Sequence, residues 1–390
     1  MTIDTRTRPA KQEDAATIVV GSDRLRMLPD GPRVKPALIA LIDGAQRELR
    51  LLFYIFEGDK SGTEVRDALI AAARRGVAVE LAVDDFGSSG TDDEFFRPLV
   101  DAGCGFCRFH PRWGRRYLLR NHQKMAIADR RVAIIGGFNI ADIYFDMALE
   151  DSFRDLGLRI EGPAAEHLAV YHERLLEWIN RKRPSLRAVR RLLSTLTQTE
   201  GDTRWIFGGP SRKVSPYARE LRADMRRTRD LQMIMAYFAP SRSWLQLLGG
   251  IARRGSAVLI TAGKSDVPVA RYAAWATYGS LLRRRVQIAE YRPRALHAKL
   301  IIMDDVVYIG SGNFDMRSLY LNLEVMLRIE NATFAQSMRD LFARELERSE
   351  PIDADDYARH ATWFNRLIWR LSYWLFVGAD FAMSKTLTSR

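Results

Sequence analysis

Two stretches, far apart in the chain, carry the same pattern: a histidine, a lysine two positions after it and an aspartate seven positions after it. The two sets are His122, Lys124 and Asp129, and His297, Lys299 and Asp304. Each set leads through an apolar segment to a turn of small residues and an asparagine, which are Gly136, Gly137 and Asn139 in the first stretch and Gly310, Ser311 and Asn313 in the second. A polar pattern that recurs in this way indicates internal duplication and suggests one site built from two halves.

The histidine and lysine of each stretch are expected to act on the same group. In an extended strand, residues two apart point to the same face, so His122 projects with Lys124 and His297 projects with Lys299. A lysine beside a histidine disfavours a bound cation, because an ammonium group has no lone pair to offer a metal. The same arrangement suits a phosphate, which attracts the ammonium and can react with the imidazole.

Two imidazoles that face each other can carry out phosphoryl transfer without a metal or another cofactor, and we expect none. One histidine attacks phosphorus and forms a phosphohistidine, while the other protonates the departing alcohol and later deprotonates the incoming one. The small turns at Gly137 and Ser311 are expected to let the backbone approach the anion. Asn139 and Asn313 are expected to donate hydrogen bonds to its oxygens.

The composition agrees with an anionic partner but does not identify it. The chain has 60 lysines and arginines against 48 aspartates and glutamates, a net charge of +12. This excess favours phosphate esters, nucleic acid or an acidic membrane surface. With 390 residues, 47% of them apolar, the chain can form two packed units, which excludes an intrinsically disordered protein. Cys104 and Cys107 form a CxxC without a second Cys/His pair at zinc spacing, so we expect two ordinary thiols.

Helical and strand patterns alternate around the motifs, which is typical of an α/β fold. Apolar strands are predicted over residues 51–56 and 77–83 with a helix over 63–75 between them, and a similar order precedes the second motif. The predicted units are an N-terminal arm over residues 1–29, a first half over 30–180, a basic linker over 181–203, a second half over 204–350 and an amphipathic helical tail over 351–390.

Three segments outside the motifs give information about which anionic partner the protein binds. Residues 109–121 interleave arginines with aromatic residues, which fits either an exposed loop or an edge that faces phosphate or membrane. Residues 181–193 are strongly basic, with leucines at helical spacing, and fit either a linker helix or a helix lying on anionic lipid. Residues 363–377 contain three tryptophans and two arginines, and they favour an interfacial helix over a terminal helix packed on the core.

The sequence predicts that attachment to a membrane is peripheral. No apolar stretch is long enough to span a bilayer, and the first residues lack the apolar segment of a signal peptide.

Further short motifs accompany the paired stretches: Tyr54-Ile55-Phe56 with Asp59 and Gly62, Asp85 with Gly87-Ser88, Tyr237-Phe238-Ala239-Pro240, Gly263-Lys264-Ser265-Asp266, and Asn313-Phe314-Asp315-Met316-Arg317-Ser318 with Asn322 and Glu324. With them, the sequence resembles the phospholipase D superfamily, and most of all bacterial cardiolipin synthases. The resemblance implies two similar αβα sandwich halves, related by a pseudo-two-fold axis, with the active site at their interface. It also implies phosphatidyl transfer from a lipid such as phosphatidylglycerol, at the cytoplasmic face of the cell membrane.

The same resemblance implies separate roles for the two halves. His122 is expected to be the nucleophile and His297 the acid/base. Each histidine is expected to be oriented by a carboxylate that lies downstream in its own half, at Asp155 and Glu324. The motif aspartates are expected to hold the adjacent turns rather than to take part in the chemistry.

Three other functions fit the same residues or the same charge. They are a phospholipase with water as acceptor, a metal-independent nuclease of the same superfamily and a catalytically idle membrane-binding scaffold. The intact motif pairs argue against the scaffold, and the tryptophan-rich tail favours lipid over nucleic acid. We therefore expect an anionic phospholipid surface as partner, and no nucleic acid.

Overall fold

A computed structural model describes residues 16–110, 119–181, 184–211 and 214–379 of the chain. The strands of the first half are β1 (Thr17–Val20), β2 (Asp23–Leu28), β3 (Glu48–Phe53), β4 (Ala78–Asp84), β5 (Gly105–Phe109), β6 (Met125–Ala128), β7 (Val132–Gly136), β8 (Phe153–Arg154) and β9 (Gly157–Glu161). Those of the second half are β10 (Thr203–Gly208), β11 (Asp230–Met235), β12 (Phe238–Ala239), β13 (Ser256–Ala262), β14 (Gln287–Tyr291), β15 (Ala295–Leu296), β16 (Lys299–Met303), β17 (Val306–Gly310), β18 (Phe314–Asp315), β19 (Glu324–Glu330) and β20 (Ser349–Ile352).

The helices follow the alternation that the sequence predicts. They are α1 (Gly31–Gly44), α2 (Lys60–Arg74), α3 (Asp93–Asp101), α4 (Asp142–Phe145), α5 (Pro163–Ile179), α6 (Leu186–Leu196), α7 (Pro216–Arg227), α8 (Arg242–Arg254), α9 (Pro268–Leu282), α10 (Met316–Tyr320), α11 (Ala332–Glu347), α12 (Ala354–His360) and α13 (Trp363–Tyr373), with a π-helical turn at Trp374–Ala379.

Each half contains an eight-stranded mixed sheet. The first sheet runs β1-β2-β9-β7-β6-β3-β4-β5 and the second runs β10-β19-β17-β16-β11-β13-β14-β20. Seven strands of each sheet share one order, β2-β9-β7-β6-β3-β4-β5 matching β10-β19-β17-β16-β11-β13-β14, while β1 and β20 are added at opposite edges. In both, the motif strand (β6 or β16) pairs antiparallel with its hairpin partner and with the strand that opens the parallel portion (β3 or β11). This repeated order confirms the predicted α/β fold with two similar halves.

The two halves share an apolar core. One face of each sheet packs with α5, α6 and α11 into a single cluster that includes Ile127 from the first half and Ile302 from the second. The other face of the first sheet is covered by α1 to α4, and that of the second sheet by helices that include α7, α8 and α9. Burial of both faces explains why the motif strands are apolar almost throughout.

The motif aspartates hold turns, as expected. Asp129 has a left-handed φ of 52° and Asp304 one of 51° at the first position of their hairpin turns. The Asp129 carboxylate accepts hydrogen bonds from the backbone N–H groups of residues 46–48, and the Asp304 carboxylate accepts them from residues 229 and 230. Each therefore ties its hairpin to the start of the neighbouring strand, at the opposite end of the motif strand from the histidine.

The short motif with Asp59 and Gly62 is structural as well. Asp59 is the N-cap of α2: its carboxylate accepts hydrogen bonds from the N–H groups of Gly62, at 2.9 Å, and Asp142, at 2.6 Å. A Cβ on Gly62 would lie 1.8 Å from the carbonyl oxygen of Glu57, so the start of the helix requires glycine here.

The N-terminal segment differs from the predicted arm. Residues 17–28 form β1 and β2, which extend the first sheet beside β9. The alternation of buried and exposed residues in β2 is a strand pattern, and it was missed because the segment is short and arginine-rich. Residues 1–15 lie outside the described part of the chain.

The basic linker is a packed helix. Val189 and Leu193 of α6 are buried in the shared core, so the apolar side of this helix is already covered by protein. This favours the interpretation as a linker helix over one lying on lipid. In the arginine–aromatic segment, residues 111–118 are outside the described ranges, and Arg120 is buried, with its guanidinium 4.2 Å from the centre of the Phe86 ring.

The described residues contain no helix that is both long and apolar enough to cross a bilayer. Cys104 is buried and Cys107 half-buried, both are free thiols, and burial raises the pKa of each. These environments agree with two ordinary thiols rather than a reactive pair.

Candidate active site

Both motif histidines lie where the two halves exchange short strands. The N–H of His122 donates a hydrogen bond to the carbonyl oxygen of Leu323, at 3.0 Å, and the N–H of His297 donates one to that of Arg154, at 2.8 Å. The pairing of β8 with β15 forms part of this exchange. The backbone N–H of each histidine is therefore bonded to the opposite half, at the residue that immediately precedes a carboxylate.

The carboxylates reach across the interface. The Nδ1 atom of His122 is 3.1 Å from Oε2 of Glu324, and that of His297 is 2.6 Å from Oδ2 of Asp155. Our expectation of a carboxylate in the same half was wrong, because the exchanged backbone bonds bring each histidine beside the partner half's strand. Since Nδ1 of each ring faces a carboxylate, Nε2 is the nitrogen left for phosphorus.

Both motif lysines are buried beside their histidines. Nζ of Lys299 lies 2.8 Å from Nδ1 and 3.2 Å from Nε2 of His297. Nζ of Lys124 donates to the carbonyl oxygen of His122, at 2.5 Å, and lies 5.0 Å from the centre of the Tyr54 ring. Two ammonium groups and two imidazoles thus line one interface, an arrangement that suits a bound phosphodiester anion.

The two asparagines have different surroundings. Asn139 Oδ1 accepts the N–H of Ile55, at 3.0 Å, and its Nδ2 donates to the Tyr144 hydroxyl, at 2.8 Å. It therefore connects segments of the first half. The Oδ1 atom of Asn313 is buried and has no hydrogen-bond partner within the described residues.

The small turn residues lie against the carboxylates of their own half. A Cβ on Gly137 would lie 2.3 Å from Oδ1 of Asp155. The hydroxyl of Ser311 donates to Oε2 of Glu324 and accepts the N–H of Val325, at 3.0 Å. These turns therefore contact the groups that orient the histidines, and the approach of their backbone to a phosphate stays a prediction.

Aromatic rings that we had assigned no role surround the histidines. Tyr54 lies 5.0 Å from the His122 ring, while Tyr144, Phe153 and Tyr237 lie 5.2, 5.3 and 6.2 Å from that of His297. The duplication contains a signal for two of them, since Tyr54 and Tyr237 both follow the strand that pairs with the motif strand.

The chain is similar to known proteins over most of its length. A family model described as "Cardiolipin synthase, PLD-like domain" matches residues 38–175 and 221–346. Cardiolipin synthase B of Escherichia coli (strain K12) is 32% identical over 326 residues, which cover 82% of this chain and 79% of that protein. The chain belongs to the cardiolipin synthase family of phospholipase D-like proteins.

A more distant relative of this family and one solved structure agree with that assignment. Cardiolipin synthase 1 of Bacillus cereus is 27% identical over 358 residues, covering 86% of this chain and 69% of that protein. The crystal structure of phosphatidylserine synthase from Haemophilus influenzae Rd KW20 matches with a TM-score of 0.72, over 95% of this chain and 97% of that one, at 12% identity. At this identity the second likeness bears on the fold alone, and it confirms the duplicated architecture.

In this member of the family, burial controls the protonation of the site. The pKa of His122 is lowered to about 4, chiefly by burial and also by the nearby lysines, while the Glu324 carboxylate opposes the shift. Burial and Lys299 likewise lower the pKa of His297. Burial also lowers the pKa of Lys299 to about 8 and that of Lys124 well below its usual range. A bound phosphodiester adds negative charge and favours the protonated form of each group.

Asp84 is a further buried carboxylate of this family member that the sequence analysis did not assign. It ends β4 and accepts hydrogen bonds from the N–H groups of Asn121, at 2.7 Å, and Gly87, at 3.0 Å. Burial raises its pKa to about 6. It therefore fixes the residue before His122, whereas Ala262 occupies the matching position at the end of β13 and can offer no such bond.

The lowered pKa of His122 predicts that kcat/KM declines on the acid side only at an unusually low pH. If His122 is the nucleophile, as the family resemblance implies, its unprotonated imidazole persists as the pH falls from 7 until the pH approaches about 4, compared with an ordinary pKa of 6.5. Rates with a soluble short-chain substrate across this range, with circular dichroism to confirm folding, measure the limb. An acid limb of kcat/KM near pH 6 that disappears in the Asp84→Asn variant reports the titration of Asp84. An acid limb near pH 6.5 that persists in that variant contradicts the prediction.

Gly137→Ala should lower kcat far more than it lowers stability. The new Cβ would collide with the end of the Asp155 side chain, which can move without disturbing the core but then loses its bond to His297. We expect kcat to fall about a hundredfold, in line with other positioning groups, and the melting temperature to change little. Gly44→Ala is the matched control, because its Cβ would meet nothing within 4 Å. Equal activity of the two variants would show that Gly137 does not protect the carboxylate.

Proposed function

We propose that this protein is a phosphatidyltransferase that forms cardiolipin or a related phospholipid through a phosphohistidine intermediate. The observation that carries the proposal is the reciprocal arrangement at the interface, in which each half supplies a histidine, a lysine and the carboxylate that orients the other half's histidine. The family supports a phospholipid substrate, and the names of the relatives support cardiolipin as product.

The proposed reaction uses the Nε2 atoms of the two histidines in turn. His122 Nε2 attacks phosphorus and the bond to the leaving headgroup oxygen breaks, while His297 gives that oxygen its proton. An acceptor hydroxyl then binds, His297 removes its proton, and the oxygen attacks phosphorus as the P–N bond breaks. Lys124 and Lys299 stabilise the charge on the phosphoryl oxygens in both steps. The roles of the two histidines rest on the family resemblance.

The surroundings of the histidines favour an alcohol over water as acceptor. His122 is 8% exposed and His297 is 4% exposed, and aromatic rings border both. Such a site admits little bulk water, so an acceptor that brings its own binding energy has the advantage over water. The same residues would serve a phospholipase, which makes hydrolysis the second candidate. We further propose that the protein acts peripherally, at the cytoplasmic face of the cell membrane, on anionic lipids.

Mass spectrometry of lipids after incubation with the purified full-length protein tests the proposal. Phosphatidylglycerol is supplied with and without phosphatidylethanolamine or glycerol, and the variant His297→Ala serves as the inactive control. We expect cardiolipin with release of glycerol, unchanged by EDTA. Phosphatidic acid as sole product would identify a hydrolase. Cleavage of DNA together with unchanged lipids would identify a nuclease and overturn the proposal.

A further inference from the structure

The C-terminal helix α13 presents its apolar residues outward. A surface helix normally buries its apolar side and exposes its polar side. Here six large apolar side chains of α13 and the following π-helical turn are exposed by about half or more. They are Trp363 (78%), Phe364 (55%), Leu367 (47%), Leu371 (54%), Trp374 (63%) and Leu375 (53%).

The opposite side of α13 is firmly packed, so this presentation is a fixed feature of the fold. Trp369 is buried, with its ring 5.1 Å from that of Trp275 on α9 and 5.7 Å from that of Tyr357 on α12. The Tyr373 hydroxyl donates a hydrogen bond to the carbonyl oxygen of Pro240, at 2.6 Å. The helix therefore cannot turn its apolar side inward without losing these contacts.

The charges of α13 indicate what covers the apolar side. At about 100° per residue, the exposed apolar residues of the helix occupy one sector, and Arg366 and Arg370 lie at its border. Both arginines are exposed, and residues 363–379 contain no aspartate or glutamate. An anionic surface complements this pattern. A second copy of the chain, packed symmetrically on the same face, would bring arginines together.

The helix is anchored next to the active site. Pro240, which accepts the bond from Tyr373, directly follows β12, and β12 pairs with β18, the strand that begins one residue after Asn313. Tyr237, at the start of the same segment, faces the His297 ring. The packed side of α13 is thus fixed to the segment that borders the second histidine.

We propose that the exposed side of α13 and the π-helical turn is a docking surface for an anionic phospholipid bilayer, with the aromatic and leucine side chains inserted among the acyl chains and the two arginines at the phosphates. Tryptophan and arginine suit this interfacial depth. The proposal deepens the proposed function by naming the element that delivers the site to its lipid. Its test measures binding, so it can fail independently of turnover.

Sedimentation of the full-length protein with phosphatidylglycerol vesicles tests the surface. The double variant Leu367→Ser/Leu371→Ser changes two exposed residues and should bind at least about tenfold more weakly. The control Val19→Ser/Val100→Ser removes two exposed apolar side chains of the first half and should bind like the wild type. Turnover of a monomeric short-chain substrate should be equal in all three. Vesicle binding unchanged by the α13 substitutions would overturn the proposal.

A second variant separates charge from apolar insertion. Arg366→Gln/Arg370→Gln should lose the preference for phosphatidylglycerol vesicles over phosphatidylcholine vesicles while its melting temperature stays the same. If the wild type is a dimer in solution and the leucine variant is a monomer, a second copy covers the surface and the bilayer assignment is wrong. Intact vesicle binding without any lipid turnover would count against the proposed function alone.

Discussion

The variants His122→Ala and His297→Ala should each lower the rate of phosphatidyl transfer to about a thousandth of the wild-type rate or less. In the proposed reaction the two imidazoles have complementary tasks, so neither can substitute for the other, and loss of a nucleophile or of a general acid has effects of about this size. Both side chains lie at the interface with little exposure, and shortening them leaves the exchanged backbone bonds in place. The measurement is the steady-state rate of lipid transfer, with circular dichroism as the control for folding.

The two alanine variants should differ with an activated substrate. A phosphatidyl ester of p-nitrophenol has a leaving group that needs no proton, so His297→Ala should release one equivalent of nitrophenol per active site and then stall. His122→Ala should give no such burst, because it lacks the attacking nitrogen. The reverse pattern would exchange the roles of the two histidines. A normal rate in either variant would refute the two-histidine mechanism.

The largest effect after the histidines should come from the carboxylates behind them. Glu324→Gln and Asp155→Asn preserve shape but replace the acceptor facing each Nδ1 with an amide that no longer stabilises an imidazolium. An aspartate behind a catalytic histidine is worth up to about ten thousandfold in other enzymes. Here we expect kcat to fall by at least about a hundredfold, and by less than in the alanine variants of the histidines.

Asp129→Asn is the matched control for those variants. Its carboxylate accepts backbone hydrogen bonds at a hairpin turn, remote from either imidazole. We expect it to lower the free energy of unfolding by about 1–3 kcal/mol and to leave kcat close to the wild-type value. Full activity of Glu324→Gln and Asp155→Asn would show that the crossed pairs are structural only. A large loss of kcat in a stably folded Asp129→Asn would restore the motif aspartates to the chemistry.

Much of the fold and the candidate site followed from local sequence. Residues two apart in a strand share a face, which placed Lys299 beside His297, and the repeat of the motif predicted two similar halves. The two motif hairpins differ in length by one residue, and the difference lies in their turns, since residues 129–131 connect one pair of strands and residues 304–305 the other.

The crossing of the carboxylates could not be predicted in this way. Sequence order places Asp155 downstream of His122 and Glu324 downstream of His297, and both within-half and between-half pairing satisfy that order. The choice depends on backbone bonds between residues far apart, such as that from His297 to Arg154, which form only when the halves dock. Gly137 and Ser311 contact the carboxylate of their own half, at Asp155 and Glu324, so these contacts do not depend on the docking of the halves.

The sequence by itself determined the reactive groups, their pairing on strands and the duplication, because strand periodicity is a local property of the backbone. Tertiary structure decided which carboxylate orients which histidine, how far burial lowers the pKa of His122, and which side of α13 faces outward. These three depend on what surrounds a side chain rather than on its neighbours along the chain, and they are fixed only when the two halves and the C-terminal helix pack together.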